Sequence, residues 1–154
     1  MGLAVFLETE KLPFSFYSEV DKLNAMKKPI LREHKHVIVR AYVNNPPREA
    51  IALSDWCCEV IDLVGMKVIG GPLVVYSDME GNKGHTAVAI LDFSHLSIHV
   101  WDEVSPSLIE FDLFSCGEFD PQIVIDKINK DFQIVKHNYM ILDRDSFDNN
   151  MVDI

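Results

Sequence analysis

Residues 92–103, DFSHLSIHVWDE, hold the densest set of side chains able to do chemistry in this chain. Read as a strand, the stretch alternates its side chains between two faces. Leu96, Ile98 and Val100 fall on one face and suit a core, whereas His95, Ser97, His99 and Trp101 fall on the other. A solvent face ordinarily carries Lys, Glu or Thr, so this row reads as the floor of a pocket. Two histidines four apart would chelate one zinc from a helix, but on a strand they stand about 13 Å apart, too far for one ion. There is no Cys-x-x-Cys pair, and no metal site is expected. No Gly-x-Ser-x-Gly elbow surrounds Ser94 or Ser97, and residues 81–84 do not match a phosphate-binding P-loop. Taken alone, His95 and His99 read as hydrogen-bonded structural residues. Downstream, Cys116 sits in FSCGE, at the end of a strand and before a glycine, where a thiol can face a cleft.

The elements that must position these residues are legible from periodicity. HVIVRAYV (36–43) is β-branched and reads as a strand. Asn45, Pro46 and Pro47 open a helix to about Val64, with apolar residues at helical spacing and Gly65 as its stop. Residues 66–77 form a strand broken by Gly-Gly-Pro, 78–85 a loop, and TAVAIL, HLSIHVW and SLIEFDLF three more strands. Asp120 and Pro121 cap a helix through Phe132, and QIVKHNYMIL is the last strand. Closely spaced strands favour antiparallel pairing. The expected fold is α+β, a two-layer sandwich with a mainly antiparallel sheet and two helices on one face. Residues 1–33, with a short helix near Ser18–Met26, read as an N-terminal extension, 34–145 as the domain, and 146–154 as an acidic tail.

Composition narrows the partners. The chain has 154 residues and a formal net charge of -10, a poor match for a nucleic-acid or anionic-membrane surface. No apolar stretch approaches a transmembrane span, and the short apolar run at the start lacks a preceding basic region, so neither an anchor nor a signal peptide is expected. The three cysteines, Cys57, Cys58 and Cys116, read as free thiols of a reducing compartment, the cytoplasm. Cys57 and Cys58 lie in a helical pattern and read as buried packing. A single helix layer leaves one sheet face uncovered, which predicts a homodimer.

Ser-His-Leu-Ser-Ile-His-Val-Trp-Asp-Glu, followed by Glu-Phe-Asp-Leu-Phe-Ser-Cys-Gly-Glu, resembles the prokaryotic type of S-adenosylmethionine decarboxylase. The likeness runs from about His36 to Leu142. It implies a self-processing enzyme that converts Ser94 into a pyruvoyl cofactor by cleaving the chain between Phe93 and Ser94. The resulting α-keto amide condenses with a substrate amine and draws off the electrons left by decarboxylation. By the same resemblance Cys116 is the proton donor, His99 and Thr86 assist processing, Glu103 holds the ribose hydroxyls, and Tyr76 stacks on adenine. The substrate is S-adenosylmethionine, whose product feeds aminopropyl groups to spermidine and other polyamines, and the family also points to paired protomers.

Departures bear on substrate. Phe93 stands where the family has glutamate, a side chain that lines the active site together with His95. Val100, Asp102 and Ser115 replace Thr, Pro and Thr, and two extra residues follow Trp101. The acyl shift uses the main-chain carbonyl of residue 93, so phenylalanine does not exclude it. Two alternatives stay open: a pyruvoyl decarboxylase of another cationic amino acid, arginine or ornithine, and an uncleaved relative that binds a ligand or partner.

Overall fold

The computed structural model describes residues 34–144. The N-terminal extension, the helix expected near Ser18–Met26 and the acidic tail lie outside the described residues. The elements are β1 (Lys35–Val43), α1 (Ala50–Leu63), β2 (Val68–Ser77), β3 (Gly84–Leu91), β4 (Ser94–Trp101), β5 (Ser107–Ser115), α2 (Pro121–Phe132) and β6 (Ile134–Asp143). They form one six-stranded sheet in the order β2-β3-β4-β5-β1-β6, with every neighbouring pair antiparallel. β2 to β5 follow one another as a meander. β1, the first of the described strands, lies between β5 and β6.

Alternation decides the two faces. Val37, Val39, Ala41 and Val43 of β1, Leu96, Ile98 and Val100 of β4, and Ile109, Phe111 and Leu113 of β5 are buried beneath the helices. Burying a side chain the size of Phe111 contributes roughly 1.5–3 kcal/mol. Trp56 of α1 joins the layers. Its ring packs on Phe132 at 4.5 Å and meets Phe111 edge-on at 6.0 Å. Its indole N–H donates to Asp131 at 3.0 Å, and Lys127 ties Asp131 (2.7 Å) to Glu59 of α1 (2.6 Å). Those two carboxylates raise the Lys127 ammonium above its ordinary value.

Local signals fare unevenly at the helix ends. In α2, the Asp120 carboxylate accepts the Gln122 N–H at 2.9 Å and Pro121 occupies the first turn, as expected. α1 starts later than expected, after Glu49, with no side-chain cap. Asn44 and Asn45 are taken up by main-chain bonds to Gln133 and Phe132 at the end of α2, and the two prolines carry the chain across to the helix layer. Within the helix, Cys57 is fully buried and its thiol is pushed up to about 12, first by burial and then by Cys58, which is only half-buried. β3 begins at Gly84, inside the stretch expected to be a loop. A Cβ at Gly84 would collide with the Val100 carbonyl, so the glycine lets β3 close against the end of β4.

Candidate active site

β3 and β4 form a hairpin whose two-residue turn is Asp92-Phe93, so Ser94 is the first residue of β4. The turn is tied down from two sides. Asp92 exchanges bonds with Lys67: its N–H donates to the Lys67 carbonyl at 3.0 Å, and its carboxylate accepts the Lys67 N–H at 3.1 Å. The Phe93 carbonyl accepts the Cys116 N–H at 3.0 Å. That donor is itself held by Ser115, the last residue of β5, whose hydroxyl accepts the Gly117 N–H at 2.8 Å and donates to the Gly117 carbonyl at 2.9 Å. Ser115 stands directly opposite Ser94, but its hydroxyl proton is committed to this turn. Among the described residues, Ser94 Oγ is left as a buried side-chain oxygen without a hydrogen bond. An unpaired buried hydroxyl costs about 1–3 kcal/mol. A nucleophile aimed at the neighbouring carbonyl carbon would leave this signature.

His99 and Thr86 meet as direct cross-strand partners, with Thr86 Oγ1 and His99 Nδ1 2.9 Å apart. Trp101 stacks on the His99 ring at 5.4 Å, and its indole N–H donates to Asn82 Oδ1 at 2.6 Å. The row of His95, Ser97, His99 and Trp101 lies on the sheet face away from the helices. Alternation places these side chains together on the face opposite the helices. A groove of about 650 Å³ lies between α1 and α2, around Lys127 and Leu63.

Other expected residues go elsewhere. Tyr76 pairs with His85, a core-side neighbour, so it faces away from Thr86 and His99. Partial desolvation and then the Asp102 carboxylate push its hydroxyl up. Glu103 accepts the N–H groups of Lys83 (3.0 Å) and Gly81 (3.1 Å), and the Lys83 bond leads in holding its carboxyl below the usual range. His95 faces Asp112 at 3.5 Å, and the same carboxylate holds His36 Nε2 at 2.6 Å. Asp112, His36 and Asn82 carry no site role in the sequence reading, and Ser115 enters it only as a replacement for threonine. Only Asp112 left a signal there, as a charged residue on the polar parity of β5.

Distance divides the site residues into two groups. Ser94, Phe93 and Cys116 cluster at one end of β4. His99 lies five residues along the strand, about 16 Å away, and Trp101 about 23 Å away. Within one chain, Thr86, His99, Tyr76 and Glu103 therefore stand apart from Ser94.

The fold and the residue pattern both have counterparts. The structure resembles a crystal structure of the adenosylmethionine decarboxylase from Aquifex aeolicus, with a TM-score of 0.57 at 21% identity over 73% of this chain and 91% of that one. At that identity the likeness concerns the fold. The family model of S-adenosylmethionine decarboxylase matches residues 35–145. An S-adenosylmethionine decarboxylase proenzyme of Methanococcus maripaludis is 34% identical over 89 residues, covering 56% of this chain and 71% of the relative. Another proenzyme of that name, from Geobacillus thermodenitrificans, is 28% identical over 145 residues. The match takes in 90% of this chain but only 52% of that relative, so the chain spans about half its length. The chain belongs to the S-adenosylmethionine decarboxylase family.

Proposed function

We propose that this protein is a self-processing, pyruvoyl-dependent decarboxylase acting on S-adenosylmethionine in polyamine synthesis. The observation that carries the reading is the unpaired Ser94 Oγ beside a Phe93 carbonyl held by the Cys116 N–H. Attack of Oγ on that carbonyl carbon forms the ester bond as the peptide C–N bond breaks. The Cys116 N–H steadies the oxygen on which charge develops, a contribution of about 10²–10³-fold where such donors have been removed. Loss of the Ser94 Hα and cleavage of the Cβ–O bond release the Phe93 carboxylate and leave a dehydroalanine end, whose imine tautomer adds water and expels ammonia to give the keto group. These residues fit the group: the serine lacks a competing partner, and the turn fixes its carbonyl. When formed, the pyruvoyl supplies an electron sink for decarboxylation. Cys116, adjacent to that position, delivers a proton to the substrate's α-carbon.

The separation along β4 calls for a second copy. The uncovered face carries exposed Leu73, Val75, Val88 and Ile90, an apolar patch suited to burial against an identical sheet. In a two-fold pair joined by these faces, the Trp101 end of each β4 lies over the Ser94 end of the other. Thr86 and His99 of one subunit then serve the Phe93–Ser94 turn of its partner. Glu103 arrives at the same end, where it binds ribose, whereas Tyr76, on the opposite face of the sheet, is not brought to adenine by this pairing. No described helix is long and apolar enough to cross a membrane, and the cytoplasm is the compartment in keeping with three free thiols.

Phe93 favours one competing reading, a pyruvoyl decarboxylase of arginine or ornithine. An exposed aromatic ring replaces the family's carboxylate at the cleavage site. Mass spectrometry of the purified protein, together with release of carbon dioxide from S-adenosylmethionine, arginine and ornithine in parallel, tests both. Two fragments meeting at Phe93/Ser94, a blocked second chain and release from S-adenosylmethionine are expected. An intact chain that releases nothing from any of the three refutes the proposal.

A further inference from the structure

The loop between β2 and β3, residues 78–83, is clamped to the far end of β4 more firmly than a connection requires. Glu103 accepts two of its N–H groups, from Gly81 at 3.1 Å and Lys83 at 3.0 Å, and the Asp102 N–H donates to the Lys83 carbonyl at 3.2 Å. These bonds flank Asn82 on both sides. The Asn82 side chain turns its oxygen to the indole N–H of Trp101 at 2.6 Å. An indole nitrogen can only donate, so the amide oxygen is the acceptor. Trp101 lies over the His99 ring at 5.4 Å between centroids and 23° between planes. Thr86 Oγ1 meets Nδ1 of that ring at 2.9 Å.

We infer that Asn82, acting through Trp101, is a positioning residue for His99. The inference rests on the proposed role of His99 in self-cleavage. An imidazole on an open sheet face ordinarily samples several rotamers, and its two nitrogens exchange tautomers. Here one ring face is covered by the indole and Nδ1 is engaged by Thr86. Among the described residues no hydrogen bond engages Nε2, which leaves that nitrogen for proton transfer. The indole is fixed in turn by Asn82, and Asn82 by the two carbonyl- and carboxylate-anchored residues beside it. Sequence spacing hides this chain of contacts, because Asn82 and His99 are far apart along the backbone and joined only by the hairpin register. Displacing a catalytic group by about 1 Å is enough to cost about 10²-fold.

The test uses the full chain. Histidine ring signals are read by nitrogen NMR in the uncleavable Ser94→Ala protein with and without Asn82→Ala, and cleavage is timed in chains that retain Ser94. Expected is a single His99 tautomer in the parent and a mixture in Asn82→Ala, with cleavage slowed at least about tenfold. Asn82→Asp keeps the acceptor oxygen and restores both. A ring signal or a cleavage rate unchanged by Asn82→Ala overturns the inference, since pinning must show in both. His99→Ala separates this from the parent reading: wild-type cleavage there refutes the role of His99, whereas stalled cleavage there with an unaffected Asn82→Ala refutes the pinning alone.

Discussion

Mixing two inactive variants tests the shared site most directly. Ser94→Ala removes the nucleophile, and His99→Ala removes the imidazole about 16 Å farther along β4. Each variant alone should stay largely uncut: the first has no attacking hydroxyl, and the second loses an acid–base group worth about 10²–10⁴-fold. In the mixed pair of the proposed dimer, however, the intact His99 of the Ser94→Ala subunit would face the intact Ser94 of its partner. Random association of equal amounts places about half of the His99→Ala chains in mixed pairs. About half of those chains should then cleave quickly, while the remainder stay 10²–10⁴-fold slower. The variants are tagged differently, unfolded, mixed and refolded, and the fragments are followed on a denaturing gel and assigned by mass. Every tagged fragment should carry the tag of the His99→Ala chain. If that chain cleaves no faster in the mixture than alone, Ser94 and His99 do not meet across a subunit boundary, and the face-to-face pairing falls with them.

Ser94→Ala by itself should abolish cleavage while leaving the urea unfolding midpoint at or slightly above the wild-type value, because it removes an unpaired buried oxygen; continued cleavage would exclude Ser94 as the nucleophile. Cys116→Ala should still cleave, since its main-chain N–H remains, but turnover should fall by about 10²–10⁴-fold; an unchanged turnover number would remove the thiol from proton delivery. For Phe93→Glu, calorimetry on the Ser94→Ala background should show S-adenosylmethionine binding preserved or strengthened, and no binding with or without the substitution would count against that substrate. Glu103 has a carboxyl held below its ordinary value of 4.5, so its support of the 78–83 loop is present above that value and is lost as the pH falls through the lowered one. Acid titration should therefore change Trp101 emission in this range, read in a Trp56→Phe background, and Glu103→Gln should abolish the step. Cys57, with its thiol near 12, should resist alkylation at pH 8 until the protein unfolds.

Much of the molecule was legible in order along the chain. Period-two patterning in β4 assigned Leu96, Ile98 and Val100 to the core and His95, His99 and Trp101 to the opposite face, because successive strand side chains must point oppositely. Asp120-Pro121 marked the start of α2, since a carboxylate can take a free N–H and proline has none to lose. What residue order could not convey was which ends of the strands coincide. Inserting β1 between β5 and β6 is a long-range choice, made by pairing its backbone with two strands later in the chain while Val37, Val39 and Ala41 are buried beneath the helices. The hairpin register sets Thr86 against His99 but strands both far from Ser94, and the close of β5 brings Cys116 N–H to the Phe93 carbonyl across more than twenty residues. A motif read along the sequence groups Ser94, His99 and Glu103 as neighbours. An extended strand, rising about 3.3 Å per residue, separates them, and only the tertiary structure reveals that separation.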